Sequence, residues 1–101
     1  MAAYVISDFE ITDPAGLAEY QQVAMPIVAK YGGRLVAVGP PAGTLEGDWQ
    51  PKGMAILEFP SVEHVRQWHD APEYQEPKRL RQASTRGSVV LIDGLPVDAP
   101  A

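Results

Sequence analysis

The sequence predicts a single α+β domain whose antiparallel sheet carries its helices on one face, and three observations predict it. Segments with strand and helix patterns follow one another in the order β-α-β-β-α-β within a chain of 101 residues, which is the ferredoxin-like arrangement. The strand segments are rich in β-branched and aromatic residues, whereas the helical segments repeat apolar residues about every 3.6 positions. The length fits one domain, which we place at residues 1–94, followed by an extended proline-containing tail at 95–101.

Local signals set the bounds of each predicted element. Capping residues and proline mark helix starts, and glycine marks stops and turns. The residues that give these signals are Asp13 and Pro14, Ser61 and Pro72 at helix starts, Gly32-Gly33 at a stop, and Arg86-Gly87 at a turn. The predicted strands are 3–11, 34–39, 54–59 and 88–93, and the predicted helices are 14–31, 62–70 and 72–82. The apolar side of the first helix comprises Leu17, Tyr20, Val23, Ala24, Ile27, Val28 and Tyr31.

Composition excludes several classes of function. The chain has no cysteine, which removes disulfides, thiolate metal sites, iron–sulfur clusters and cysteine nucleophiles. Its net charge of −5 argues against a nucleic-acid partner, and we interpret its one basic cluster, Lys78, Arg79 and Arg81, as a solvated helix face. The N-terminus has no signal-peptide pattern and no stretch is long enough to span a membrane, so we predict a cytoplasmic location.

The strands carry apolar residues on both faces of the predicted sheet. Val5 and Leu57 fall on one face, and Ile6 and Ile56 fall on the other. A sheet with one solvated face alternates more cleanly between apolar and polar residues. We therefore predict that a second copy of the chain covers the open face, which gives a homodimer joined sheet to sheet.

Several motifs resemble one bacterial family, the domain of unknown function numbered 1330. They are Tyr31-Gly32-Gly33-Arg34, Leu45-Glu46-Gly47-Asp48-Trp49, Glu58-Phe59-Pro60-Ser61, Pro72-Glu73-Tyr74-Gln75 and Leu80-Arg81. Ala71 departs from the pattern, since most other members carry serine before the proline of the short helix. The resemblance implies a dimeric α-β barrel, whose superfamily includes cofactor-free monooxygenases, lactone isomerases, haem proteins and plain binding domains. It implies no particular activity.

His69 is the candidate catalytic residue. It shares one side of the second helix with Val62, Val65 and Trp68 at helical spacing, so its imidazole is directed toward the core or a cleft. Imidazole is the side chain best suited to proton transfer near neutral pH. The alternative is a partly buried histidine that bonds a backbone carbonyl. His64 lies on another side of the same helix, and we predict that it is exposed.

Two further residues are candidates for ligand binding on the helices. Tyr20 could donate a hydrogen bond into a helix–sheet cleft, although we favour core packing with its hydroxyl at the rim. Arg81 could hold a carboxylate with its two-pronged guanidinium. Its alternative role is a surface salt bridge to Glu73 or Glu76.

A polar cluster is predicted at one end of the sheet. The strand order of this topology places Tyr4, Arg34 and Glu58 close together on the face opposite Leu57. The cluster could bind an anion or a carbonyl group. We favour an ion pair at the dimer seam, because a charge at an interface needs a partner.

Three functions remain open from the sequence. The first is cofactor-independent acid–base chemistry of the isomerase, cyclase or monooxygenase type, with His69 as base or acid in a helix–sheet cleft. The second is small-molecule binding without chemistry, in which Tyr20, Trp68 and His69 orient a ligand. The third is a structural or protein-interaction module, in which Trp49 of the Glu46-Gly47-Asp48-Trp49 loop anchors an interface. The sequence indicates no cofactor and no metal site.

Overall fold

The computed structural model describes residues 2–95. The strands are β1 (Ala3–Ile11), β2 (Arg34–Gly39), β3 (Met54–Phe59) and β4 (Thr85–Asp93), and the helices are α1 (Pro14–Lys30), α2 (Val62–Asp70) and α3 (Pro72–Ser84). Each predicted element is present, and α3 continues through Pro77. The predicted tail lies outside the described residues beyond Leu95.

The predicted turn at Arg86-Gly87 is wrong, because both residues belong to β4. This strand begins at Thr85, directly after α3, and Gly87 pairs with Phe9. Gly87 has a φ of 151°, and a Cβ atom at this position would collide with the backbone oxygen of Asp8. Glycine is therefore used here for close approach of two strands and not for a change of chain direction.

The sheet has the strand order β2-β3-β1-β4 with every neighbouring pair antiparallel, as the ferredoxin-like fold requires. Its central strand β1 places Val5 opposite Leu57 of β3 and Leu91 of β4. Side chains of a strand alternate between the two faces of the sheet. The face that carries Val5 is covered by the helices, and this helix-covered face contains the core.

The core joins all three helices to the helix-covered face. Its buried members are Ala3, Val5, Ala24, Val28, Phe59, Val65, Trp68, Ala71 and Tyr74.

Two predictions about the helices need correction. Val23 is 49% exposed, although the periodicity placed it on the apolar side of α1. His64 is half-buried, because its ring nitrogen Nδ1 lies 2.7 Å from the hydroxyl of the N-cap residue Ser61.

The opposite face of the sheet has no helix over it within residues 2–95, and we call it the open face. It carries Ile6 and Ile56 on the central strands and Val90 and Ile92 on β4. Val90 is 56% exposed and Ile92 is 51% exposed. Adjacent apolar side chains on a sheet face are normally covered.

Candidate functional site

A cleft lies between the α2–α3 pair of helices and the β1–β4 half of the sheet. It contains two neighbouring cavities, one of about 200 Å³ and one of about 40 Å³. Both are lined by Val5, Trp68, His69 and Val89. The smaller cavity also reaches Ser7, Tyr20, Tyr74 and Arg81. Four site residues predicted from the sequence therefore line the smaller cavity together: Tyr20, Trp68, His69 and Arg81.

His69 lies in the last turn of α2 with its side chain 43% exposed. Neither ring nitrogen is hydrogen-bonded within residues 2–95, and Asp70 Oδ1 is 3.9 Å from Nδ1. The alternative role, an imidazole bonded to a backbone carbonyl, is therefore absent from this part of the chain. Burial first, and then the positive charge of Lys78, lower the pKa of His69. The ring is thus neutral at neutral pH and keeps a lone pair for a proton.

The backbone around His69 is held firmly although its ring is free. The carbonyl oxygen of His69 accepts hydrogen bonds from Gln75 Nε2 at 3.0 Å and from Lys78 Nζ at 3.3 Å. Gln75 Nε2 also donates to the carbonyl oxygen of Ala71. These bonds join the end of α2 to the first turns of α3, so the site of His69 is fixed by the corner between the two helices.

Arg81 is buried, at 8% exposure, and is not part of a solvated face as the charge pattern suggested. It belongs to the inward stripe of α3 that comprises Tyr74, Pro77, Arg81 and Ser84. Within residues 2–95 its guanidinium forms no salt bridge, so the predicted pair with Glu73 or Glu76 is absent there. The guanidinium carbon lies 5.2 Å from the centre of the Phe9 ring. That contact is a cation–π interaction, which leaves the charge without a counter-ion.

Tyr20 meets Tyr74 in the smaller cavity, with their hydroxyl oxygens 2.6 Å apart. Burial, and then the neighbouring Tyr74 hydroxyl, raise the pKa of Tyr20 far above its usual value, and Arg81 opposes this shift. The Tyr20 phenol therefore stays protonated and acts only as a neutral hydrogen-bonding group. The spacing of seven residues between Tyr74 and Arg81 indicated two turns of one helix, but sequence reasoning gave Tyr74 no ligand-binding role. It missed Ser7, whose signal was a serine at an inward position of an apolar strand.

Trp68 belongs to the core and also lines both cavities. Its ring packs 4.5 Å from Tyr74 and 5.2 Å from Phe59, measured between ring centres. The side chain is 3% exposed, and its Nε1 is buried with no hydrogen-bond partner within residues 2–95. Buried donors are nearly always satisfied, so this N–H is an exception that needs an explanation.

The other predicted cluster lies on the open face, away from the cleft. Tyr4 Oη donates to Glu58 Oε2 at 2.9 Å, and Arg34 Nε donates to Glu58 Oε1 at 2.9 Å. The Tyr4 hydroxyl first, and then Arg34, lower the pKa of Glu58, and the same hydrogen bond raises the pKa of Tyr4. Because these three residues satisfy one another, the cluster has no vacant charge to offer a ligand.

The loop before β3 is tied to the open-face side of β1 through Asp8. The Asp8 carboxylate accepts from Trp49 Nε1 at 3.2 Å and from the backbone N–H of Lys52 at 2.8 Å. The Trp49 ring is 61% exposed despite this bond. Its role as an interface anchor stays a prediction.

Residues 2–95 contain no group of three or more His, Asp or Glu side chains arranged to hold a metal ion. None of the helices in this part of the chain has the length and apolar character needed to cross a bilayer. The predicted cytoplasmic location stays a prediction.

Comparison with known proteins confirms the resemblance seen in the motifs. The family model Domain of unknown function (DUF1330) matches residues 2–95. No curated protein matches significantly. A solved protein of unknown function from Rhodopseudomonas palustris is 21% identical, with a TM-score of 0.77 over 94% of this chain and 83% of that chain.

Two further solved structures share the fold at lower identity. SnoaB, a cofactor-independent oxygenase from Streptomyces nogalater, is 13% identical with a TM-score of 0.67 over 98% of both chains. A dimeric ferredoxin-like protein of unknown function from Bacteroides fragilis is 15% identical, with a TM-score of 0.62 over 92% of this chain and 96% of that chain. Likeness at this level identifies a ferredoxin-like fold whose relatives include dimers.

Proposed function

This chain belongs to the DUF1330 family, and we propose that it is a homodimer that binds a small molecule in the helix–sheet cleft. In this proposal His69 moves a proton to or from a carbon atom of that molecule without a cofactor. The observation that carries the proposal is the state of His69. Its ring borders both cavities, is neutral at neutral pH, and has no hydrogen-bond partner within residues 2–95.

The chemistry begins with one proton transfer. A ring nitrogen of neutral His69 takes a proton from a carbon next to a carbonyl group, and the C–H electron pair moves onto the carbonyl oxygen as an enolate. Where the enolate is conjugated with a further double bond, return of the proton to the far carbon completes an isomerisation. Attack of the enolate carbon on a second carbonyl of the same molecule closes a ring, and the resulting alkoxide takes the proton back from His69. Addition of dioxygen to that carbon gives a peroxide anion, which takes the proton from His69; when the carbon carries a second hydrogen, the hydroperoxide loses water and leaves a ketone.

The size of the cleft sets the scale of the ligand. The larger cavity, of about 200 Å³, exceeds the roughly 150 Å³ of an apolar protein cavity that accepts benzene. Its walls are mainly apolar, with Val5, Val65 and Leu91 contributed by the sheet and α2. A ligand with one aromatic ring and a short polar arm matches this volume.

The homodimer is supported by the open face. Val90 and Ile92 are both more than half exposed there, next to Ile6 and Ile56. Solved relatives with this fold include proteins described as dimeric. A second copy placed sheet to sheet covers these side chains and removes apolar surface from water.

The test measures deuterium uptake by two enolisable probes, phenylpyruvate and the neutral ketone 2-indanone, in heavy water by proton NMR. We expect the protein to accelerate exchange of at least one probe above the buffer rate. His69→Gln should lower that acceleration by at least about 100-fold, because it removes the base. His64→Gln is the matched control, since the second histidine is bonded to Ser61 and does not line the cleft.

Either of two results contradicts the proposal. One is exchange at the buffer rate for both probes with the wild-type protein. The other is equal acceleration by the wild-type and His69→Gln proteins, which would place the base elsewhere. Circular dichroism of each variant shows whether the fold is retained.

A further inference from the structure

We propose that the cleft selects a carboxylate ligand, whose two oxygens are held by the guanidinium of Arg81 while the body of the ligand lies against Trp68. This inference rests on the proposed function for the position of the ligand, and it adds the chemical class of the molecule bound. Three features of the cleft carry it: a buried cation with no counter-ion in the described part of the chain, an excess of hydrogen-bond donors, and the distribution of acidic residues.

The first feature is the burial of Arg81. A charged group taken out of water is costly unless an opposite charge or several hydrogen bonds compensate it. Arg81 is 8% exposed, and its guanidinium forms no salt bridge within residues 2–95. The aromatic face of Phe9, 5.2 Å away, compensates the charge only in part. A carboxylate ligand completes the pair in two-pronged geometry.

The second feature is the excess of donors over acceptors. The guanidinium of Arg81 carries five N–H groups, and the indole of Trp68 carries one that is buried without a partner within residues 2–95. The Tyr20 and Tyr74 hydroxyls share one hydrogen bond, so only one of their two protons is used between them. A ligand that brings acceptor oxygens satisfies these donors, whereas a cationic ligand is repelled by the positive charge of Arg81.

The third feature is where the acidic side chains lie. None lines the smaller cavity, and the larger one has only Asp70, whose side chain is 81% exposed. Glu76 of α3 is exposed and lines neither cavity, and two other carboxylates already have partners. Glu73 binds Lys30 and Tyr31, and Glu58 binds Arg34. The cleft is therefore electropositive in a protein whose net charge is −5.

Carboxylate binding also serves the base. Lys78 and Arg81 both contribute to lowering the pKa of His69, whereas Asp70 raises it. A carboxylate bound at Arg81 offsets these two positive charges. The pKa of His69 then rises when the substrate is bound. His69 is therefore a stronger base in the complex than in the free protein.

The experiment compares benzoate with its neutral isostere benzamide, in ¹H–¹⁵N NMR spectra of the indole N–H groups. The chain has two tryptophans, so Trp68 reports the cleft and the exposed Trp49 serves as an internal reference. We expect the concentration of benzoate that shifts the Trp68 signal to be at least about tenfold lower than that of benzamide. The Trp49 signal should not change.

Variants of Arg81 assign the preference to this residue. Arg81→Met should weaken benzoate binding by about 10- to 100-fold and leave benzamide binding within about twofold, since only the charged bond is lost. Arg81→Lys keeps the charge but not the fork, so it should keep a reduced preference for benzoate. Arg79→Met removes an exposed arginine two positions away on α3 and should bind both probes as the wild type does.

Several results overturn the inference. They are equal affinities of the wild type for the two probes, no shift of the Trp68 signal by benzoate, and benzoate binding by Arg81→Met as tight as by the wild type. If Arg81→Met does not fold, the comparison of probes on the wild type and Arg81→Lys decides. The neutral ketone 2-indanone has no carboxylate, so its deuterium exchange tests the proposed function separately. If the protein still accelerates this exchange but binds benzoate and benzamide equally, the preference for a carboxylate is refuted and the proposed function is retained.

Discussion

The two faces of the sheet each lack something different. On the helix-covered face the apolar side chains are packed, yet Arg81 is buried without a carboxylate partner within residues 2–95. On the open face the opposite holds, because Arg34 is paired with Glu58 and hydrogen-bonded through it to Tyr4, while Val90 and Ile92 are exposed. We propose that each face binds what it lacks: an anion on the first and apolar protein surface on the second.

The two arginines illustrate why a charge by itself does not mark a site. Arg34 has a side chain that is 68% exposed and donates through Nε to a carboxylate of its own chain. Exposed pairs of this kind contribute little to stability and offer no vacant charge. Arg81 has the same chemistry in a buried position, so its unsatisfied charge has an energetic cost that a ligand can relieve.

The largest effect is expected on the open face. Val90→Lys should raise the dissociation constant of the dimer by at least about 100-fold, because a sheet-to-sheet interface would bury an unpaired ammonium group. Val23→Lys makes the same change at a similar exposure on α1, on the other side of the molecule, and should leave the dimer intact. Sedimentation velocity over a concentration series measures both. An unchanged dissociation constant for Val90→Lys would contradict the proposal that the open face forms the dimer interface.

A second effect separates the faces by pH. His69 has a pKa below its usual 6.5, so it is unprotonated at neutral pH and gains a proton only in more acidic solution. Deuterium exchange should therefore be level above this pKa and fall about tenfold per pH unit below it. Arg34→Met, on the open face, should leave the midpoint unchanged, whereas Arg81→Met should raise it. A profile that is flat down to pH 4, well below the usual value, contradicts a histidine base.

The smallest effect is on stability, and it has opposite signs on the two faces. Arg81→Met should raise the free energy of unfolding of the ligand-free protein by about 1 kcal/mol, because an unpaired buried charge is removed. Loss of the contact with Phe9 opposes part of this gain. Arg34→Met should lower stability slightly, since Glu58 loses a partner. Urea denaturation at one protein concentration measures both, and a clear loss of stability for Arg81→Met would show that its charge is compensated internally.

Much of the fold followed from local sequence patterns. The element order and the caps at Asp13 and Ser61 are local features, and the structure has both caps in place. The topology then implied the antiparallel register, and this register brought Tyr4 and Arg34 to Glu58. The prediction at Gly87 was wrong because glycine is favoured both in turns and where two strands approach closely, and the sequence does not distinguish the two cases.

The sequence by itself determined the layers of this protein, the apolar character of both sheet faces, and the histidine directed toward a cleft. Each depends on periodicity along a single element, which residue spacing records directly. Only the tertiary structure decided that Arg81 is buried beside Tyr20 with no carboxylate partner among residues 2–95, and that Glu73 is held by Lys30. Those facts depend on how α3 is rotated against α1 and the sheet, and this rotation is set by the packing of many side chains at once.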